Sequence, residues 1–241
     1  MIVATWNLNN RVGKVRFRPE AAFAACAIGA DLIVFTEFYP QAHEQAFRAA
    51  LSVSGFPHQL MSKASLEVAN RVLIASRLPI EPLALRLPDA DHQFLSNVLG
   101  ITVPSEGLNV LGLRVPTYVG ATGRQRLFGA WAWIERTATS LADSPAIMLG
   151  DFNVTTTARR SQGGEHFRRV LASGWQRAEP QCPATYFSPR GFKTAIDHIL
   201  ATRYCRTHGA NVLQETSDFL YAGPKAAISD HAVLRCTINV V

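Results

Sequence analysis

The chain has 241 residues, 48% of them hydrophobic, which supports a packed core and excludes a disordered or low-complexity protein. Its 24 Lys and Arg against 18 Asp and Glu leave a formal net charge of +6, a balance that suits a polyanionic partner such as nucleic acid. No apolar run approaches the ~18–20 residues of a membrane helix, and "MIVATWNLNN" carries no basic leader, so the expectation is a soluble, cytoplasmic, monomeric protein without membrane contact.

Strand-like and helix-like runs alternate from the start. "MIVATWNL" (1–8) reads as a strand, and "RPEAAFAACAIG" (18–29) as a helix with Pro19 in its first turn and Gly29 at its C-cap. "DLIVFTE" (31–37) is the next strand, followed by "PQAHEQAFRAALSVSG" (40–55), where Ala42, Ala46, Phe47, Ala50 and Leu51 share a helical face. Short strands then dominate: "RVLIAS" (71–76), "NVLGITV" (97–103) and "LNVLGLRV" (108–115). A long helix spans 123–142, with Trp131 and Trp133 as core residues, before the strand "AIMLGD" (146–151). "RSQGGEH" (160–166) reads as a flexible loop, and "GGEHFRRVLASG" (163–174) as a helix followed by Trp175, another core residue. "AIDHILAT" (195–202) and "HAVLRCTINV" (231–240) close the series of strands. Residues 1–241 read as one domain: two sheets packed face to face with helices outside. Cys26, Cys182, Cys205 and Cys236 show no metal spacing and are expected as buried free thiols of a reducing compartment. His43, His58, His92, His166 and His208 have no partner pattern and read as surface or cap residues.

The charges that interrupt the apolar strands carry the functional signal. Glu37 ends "LIVFTE", Asp151 ends "IMLGD", Asp197 sits inside "AIDHIL", and Asp230 precedes "HAVLRC". A carboxylate at the end of a buried strand is costly unless it is paired, hydrogen-bonded or metal-bound. Asn7, Asn9, Asn153 and His231 stand in similar settings. A set of carboxylate and amide oxygens without soft ligands suits Mg²⁺ or Mn²⁺, and with an Asp–His pair it fits phosphoester hydrolysis.

The ordered motifs "TWNLNN", "FTEFY", "LGDFN", "AIDHIL" and "SDHAVL", with "PATYFS" (183–188) ahead of the fourth, resemble the endonuclease/exonuclease/phosphatase superfamily over nearly the whole chain. That family includes apurinic/apyrimidinic endonucleases, pancreatic-type deoxyribonucleases, sphingomyelinases and inositol polyphosphate phosphatases. The resemblance implies a four-layer α/β sandwich of two mixed, mostly antiparallel sheets. It also implies a metal site at Glu37, Asn9 and Asp230, and catalytic roles for Asn7, Asp151, Asn153, Asp197 and His231. On this reading Asp151 positions or deprotonates the attacking water, Asn153 binds phosphate, and Asp197 holds His231 on the scissile group.

Two departures from the family pattern stand out. Many family nucleases carry Asp where this chain has Asn9, which weakens any second cation site. In "GLRVPTY" (112–118) Arg114 stands where a His or Tyr is usual; Arg114 and Tyr118 are therefore expected to contact the substrate phosphate. Lys14, Arg16 and Arg18 follow the first motif closely enough to flank the site. The sequence thus points to a Mg²⁺- or Mn²⁺-dependent phosphodiesterase of nucleic acid, DNA favoured. A phosphoesterase of a small phosphoester or phospholipid headgroup is the alternative enzyme. A non-catalytic nucleic-acid-binding module on the same scaffold is the third reading.

Overall fold

The structure is a computed structural model that describes residues 1–9, 20–40, 43–63, 69–86, 92–117, 120–159, 163–223 and 226–241. In chain order the elements of the first half are β1 (Ile2–Asn7), α1 (Glu20–Ala27), β2 (Leu32–Phe38), α2 (Glu44–Val53), β3 (His58–Met61), β4 (Arg71–Ser76), β5 (Glu81–Pro82), α3 (His92–Leu95), β6 (Val98–Val103) and β7 (Leu108–Arg114). The second half holds α4 (Gly120–Leu141), β8 (Ala146–Asp151), α5 (Gly164–Ala172), β9 (Gln176–Arg177), β10 (Tyr186–Phe187), β11 (Lys193–Thr194), β12 (Asp197–Ala201), β13 (Cys205–Leu213) and β14 (Val233–Val240).

Two six-stranded sheets form, in the orders β13-β14-β1-β2-β4-β3 and β5-β6-β7-β8-β12-β9, with β10 and β11 as a separate hairpin. Each large sheet contains one parallel pair, β1 with β2 and β7 with β8; the other pairs are antiparallel. The inner core joins the sheets: Val3, Val34, Val72 and Leu234 of the first meet Val110, Ile147 and Ile199 of the second. The outer face of the first sheet packs Trp6, Phe35 and Leu73 under α1 and α2. The outer face of the second packs Leu111, Met148 and Leu200 under α4 and α5. The result is the expected four-layer α/β sandwich. Strands buried on both faces explain the near-continuous apolar runs of β1, β2 and β8.

Trp131, Trp133 and Trp175 are core residues, as their spacing implied. All four cysteines are free, but only Cys205 and Cys236 are buried; Cys26 and Cys182 are exposed, contrary to the expectation. Of the stretch read as a loop at 160–166, residues 164–166 are helical, the start of α5, in keeping with the helix expected over 163–174. Residues 160–162 lie outside the described residues. Gly163 has φ +86° and packs onto the Trp131 indole, where an added Cβ would come within 2.2 Å of Nε1. Six strands were not expected: the two-residue β5, β9, β10 and β11, and the longer β3 and β13. β3 is a four-residue edge strand, half-buried along its length. β13 is an edge strand whose alternation is broken by a bulge between His208 and Asn211. Among the described residues no helix is long and apolar enough to cross a membrane.

Candidate active site

The topology collects the interrupting polar residues on one rim. Parallel pairs have their C-terminal ends side by side: Asn7 pairs with Thr36, the neighbour of Glu37, and Arg114 pairs with Asp151. Antiparallel β12 starts where β8 ends, placing Asp197 directly opposite Asp151. The turn before β14 brings in Asp230 and His231, and Ser229 ties it to β1. The Ser229 hydroxyl donates to the Asn7 carbonyl (2.7 Å) and accepts from the His231 amide (3.1 Å). Trp6 Nε1 donates to the His231 carbonyl at 3.0 Å. Thr185, within the "PATYFS" segment, accepts from the amides of Ile196 and Asp197 and so fixes the entry to β12. Ser229, Trp6 and Thr185 were not singled out in the sequence. The signal for Ser229 was present, since a Ser at the head of "SDHAVL", just before the last strand, is a ready turn-former.

Asp151 is the hub. Its Oδ2 accepts from Asn7 Nδ2 (2.9 Å) and Asn153 Nδ2 (3.0 Å), and its Oδ1 from the Asn153 amide (2.9 Å). Asn153 Nδ2 also donates to the Val115 carbonyl at 2.7 Å. Burial and then the neighbouring Asp197 carboxylate raise the Asp151 pKa to about 7, with a smaller push from Glu37, while His231 and Arg114 act in the opposite direction. Asp151 is thereby poised near neutrality, where a carboxylate serves best as a base. Gly150 makes its position attainable: with φ +151°, it lets β8 lie so close to β7 that an added Cβ would stand 1.8 Å from the Leu113 carbonyl oxygen.

His231 is held by Asp197, with Nδ1 2.8 Å from Oδ2. Burial opposes its charge, but Asp197, through charge and hydrogen bond, together with Asp151 and Asp230, raises its pKa to about 9. The imidazole is therefore cationic at neutral pH. The Tyr186 ring lies 5.0 Å from the imidazole, and burial beside Asp230 raises the Tyr186 pKa. His198, next to Asp197 in sequence, takes no part in this set: it is buried, its pKa is lowered to about 4 by desolvation, and its Nε2 is 2.8 Å from the Val154 carbonyl.

Glu37 and Arg114 form an ion pair with side chains only 12% and 17% exposed. Arg114 Nε and Nη2 lie 2.8 and 2.7 Å from Glu37 Oε1, and Nε is 3.9 Å from Asp151 Oδ2. Among the described residues the only non-glycine left-handed backbones are at Asn9 (φ 51°), Glu37 (φ 52°) and Asn153 (φ 49°), all three in this set. For Glu37 that conformation is strained, and it coincides with a bulge between Phe35 and Phe38 of β2. Asn9 donates its amide to Asn7 Oδ1 at 2.7 Å. Tyr118, Lys14, Arg16 and Arg18 lie outside the described residues.

Among the described residues no three His, Cys, Asp or Glu side chains cluster tightly enough to hold an ion by themselves. The donors at hand are the hard oxygens of Glu37, Asp230 and the amides of Asn7 and Asn9. Such a sparse oxygen set fits a hard divalent cation that keeps much of its water, and does not fit a thiolate- or imidazole-bound metal.

No curated protein sequence matches the chain. Solved structures do resemble it. They include an AP endonuclease from Archaeoglobus fulgidus (TM-score 0.78, 18% identity, 100% of both chains covered). The 3′ phosphatase NExo from Neisseria, bound to product DNA hairpin, is similar at TM-score 0.77 and 20% identity, with 99% of each chain covered. A 3′-5′ exonuclease from Neisseria meningitidis matches at TM-score 0.74 and 20% identity, over 99% of this chain and 100% of its own. At such identities the likeness is one of fold. The model of the endonuclease/exonuclease/phosphatase family matches residues 4–231, from the first strand to His231. The chain belongs to the endonuclease/exonuclease/phosphatase family and is a phosphoric ester hydrolase.

Proposed function

We propose that the protein is a Mg²⁺- or Mn²⁺-dependent phosphodiesterase of nucleic acid, with DNA as the favoured substrate, acting as a monomer in the cytoplasm. The observation that carries this reading is the joining of a base poised near neutrality to a cationic imidazole. Asp151 and the His231–Asp197 pair lie on adjoining strand ends. The net charge of +6 and the DNA hairpin bound to the similar Neisseria phosphatase support nucleic acid. Four free thiols agree with a reducing compartment.

In the reaction Asp151 takes the proton of the attacking water. The amides of Asn7 and Asn153 hold its carboxylate in place; Asn7 Nδ2 keeps one N–H for the phosphate, and Asn153 would bind the phosphate by giving up one of its two Nδ2 bonds, to Asp151 or to the Val115 carbonyl. His231, anchored through Nδ1, donates from Nε2 to a phosphate oxygen and stabilises the charge that builds there. Asp197 positions that ring. Glu37, Asp230 and Asn9 would hold the metal, which when bound neutralises phosphate charge. Arg114 offers a guanidinium fork to the same phosphate, and Tyr118 is proposed beside it.

The test is a metal-dependence screen against plasmid DNA, abasic duplex, single-stranded RNA and a chromogenic bis-phosphodiester. Cleavage of a DNA substrate with Mg²⁺ or Mn²⁺, abolished by chelation, supports the reading. Turnover of the small diester alone, with no nucleic acid cut, would overturn it in favour of the small-phosphoester enzyme.

A further inference from the structure

Arg114 contacts two carboxylates of different sheets, Glu37 near the end of β2 and Asp151 at the end of β8, which face-to-face packing of the sheets brings to one rim. It is in register with Asp151 on the neighbouring strand, and both its contacts to Glu37 fall on one oxygen, Oε1. Its charge holds down the Asp151 pKa, which Glu37 pushes up, so the guanidinium balances both acids. A divalent ion at Glu37 would serve the same end. The two cations therefore compete for one position. A guanidinium beside Glu37 repels any ion placed there, and at 17% exposure little water screens that repulsion. Arg cannot shed its charge by losing a proton, so the repulsion is relieved only if the side chain moves. The diester of a substrate offers the fork a second partner, two non-bridging oxygens spaced for a bidentate contact.

We propose that Arg114 is an internal competitor of the divalent cation at Glu37, drawn off that carboxylate by the substrate phosphate, so that metal and substrate load together. This rests on the assignment of Glu37 as a metal ligand. Coupling of this kind is reciprocal: whatever factor phosphate adds to metal affinity, metal adds to phosphate affinity. In the absence of substrate, the enzyme would hold its metal weakly.

The experiment is Mn²⁺ binding, read by the electron paramagnetic resonance signal of free Mn²⁺. It uses the full chain as wild type, Arg114→Ala, Arg114→Gln and Glu37→Gln, each checked for folding by its melting curve. Arg114→Gln keeps a hydrogen-bond donor for Glu37 without the charge and covers the case in which alanine destabilises the fold. Both Arg114 variants are expected to bind Mn²⁺ about tenfold more tightly than wild type, or better. Dimethyl phosphate should tighten Mn²⁺ binding by the wild type and have a smaller effect on Arg114→Gln. Equal Mn²⁺ affinity in wild type and a folded Arg114 variant overturns the competition. An equal dimethyl phosphate effect in both overturns the release by substrate. Loss of Mn²⁺ binding in Glu37→Gln shows that the metal assignment stands even if the competition fails. Unchanged binding in Glu37→Gln overturns the metal assignment and, with it, the proposal.

Discussion

Asp197 lies directly across the β8–β12 ladder from Asp151, so two buried carboxylates of like charge share one strand-pair position. The pairing costs stability and sets the chemistry. Asp197 spends its charge on His231, and its field helps lift Asp151 to a pKa of about 7.

Asp197→Asn should therefore act twice. His231 loses the partner that keeps it charged, and Asp151 loses a neighbour that keeps its pKa high. Turnover should fall by about 10²-fold, with both limbs of the pH–rate profile moved to lower pH. A profile with both limbs in their wild-type positions would remove Asp197 from its positioning role.

Direct loss of either group proposed to react should be severe. Asp151→Asn and His231→Ala are each expected to lower kcat by at least ~10²-fold while the fold persists. Single-turnover kinetics beside melting curves separate the two effects. A folded variant with near-wild-type turnover excludes that residue from the mechanism.

Stability should decline as pH rises. The His231 pKa is about 9 in the folded chain, above its ordinary 6.5, so the stability from its charged form is complete below 6.5 and lost as pH climbs through 9. Asp151 acts in the same direction at lower pH: its folded pKa of about 7 exceeds 3.8, so protonated Asp151 stabilises below 3.8 and that contribution is gone above 7. Melting temperature measured from pH 4 to 10 should fall across both windows. In His231→Gln the fall between about pH 6.5 and 9 should be shallower; an identical slope there would assign the decline to other groups.

Gly150→Ala should be among the most damaging small substitutions. The new Cβ would meet the Leu113 carbonyl carbon and oxygen at 2.8 and 1.8 Å, and backbone cannot swing aside as a side chain can. We expect a loss of about 3 kcal/mol or more by denaturant titration. A stable, active Gly150→Ala protein would mean that β7 and β8 separate readily at the rim.

Binding to nucleic acid should weaken with salt, by about 0.7 to 0.9 log units per log unit of salt for each phosphate contacted. Asp151→Asn protein, which binds without cutting, allows the titration on duplex and single-stranded oligonucleotides. A flat response to every nucleic acid would favour a small phosphoester as substrate.

The strands and helices that build the sandwich were legible because their signals are local. Apolar runs of six or seven residues mark β1, β2 and β8, and helical spacing marks α2 and α5. The edge strands β3 and β13 escaped because exposure on one side and a bulge remove that regularity. The polar residues of the rim were legible as charges set against apolar strands, and the order of their motifs named the family. What each of those groups does to its neighbours was not legible. Glu37 and Arg114 are 77 residues apart, and Asp197 and His231 are 34 apart. Their pairing and the raised pKa of Asp151 arise only when strand register within one sheet, and the packing of the two sheets against each other, bring distant segments within hydrogen-bonding range. Periodicity along a chain reports which face of an element is buried, whereas electrostatic coupling depends on distance through space. The sequence by itself determined the layers and the candidate groups of the rim; the tertiary structure decided which charges answer one another.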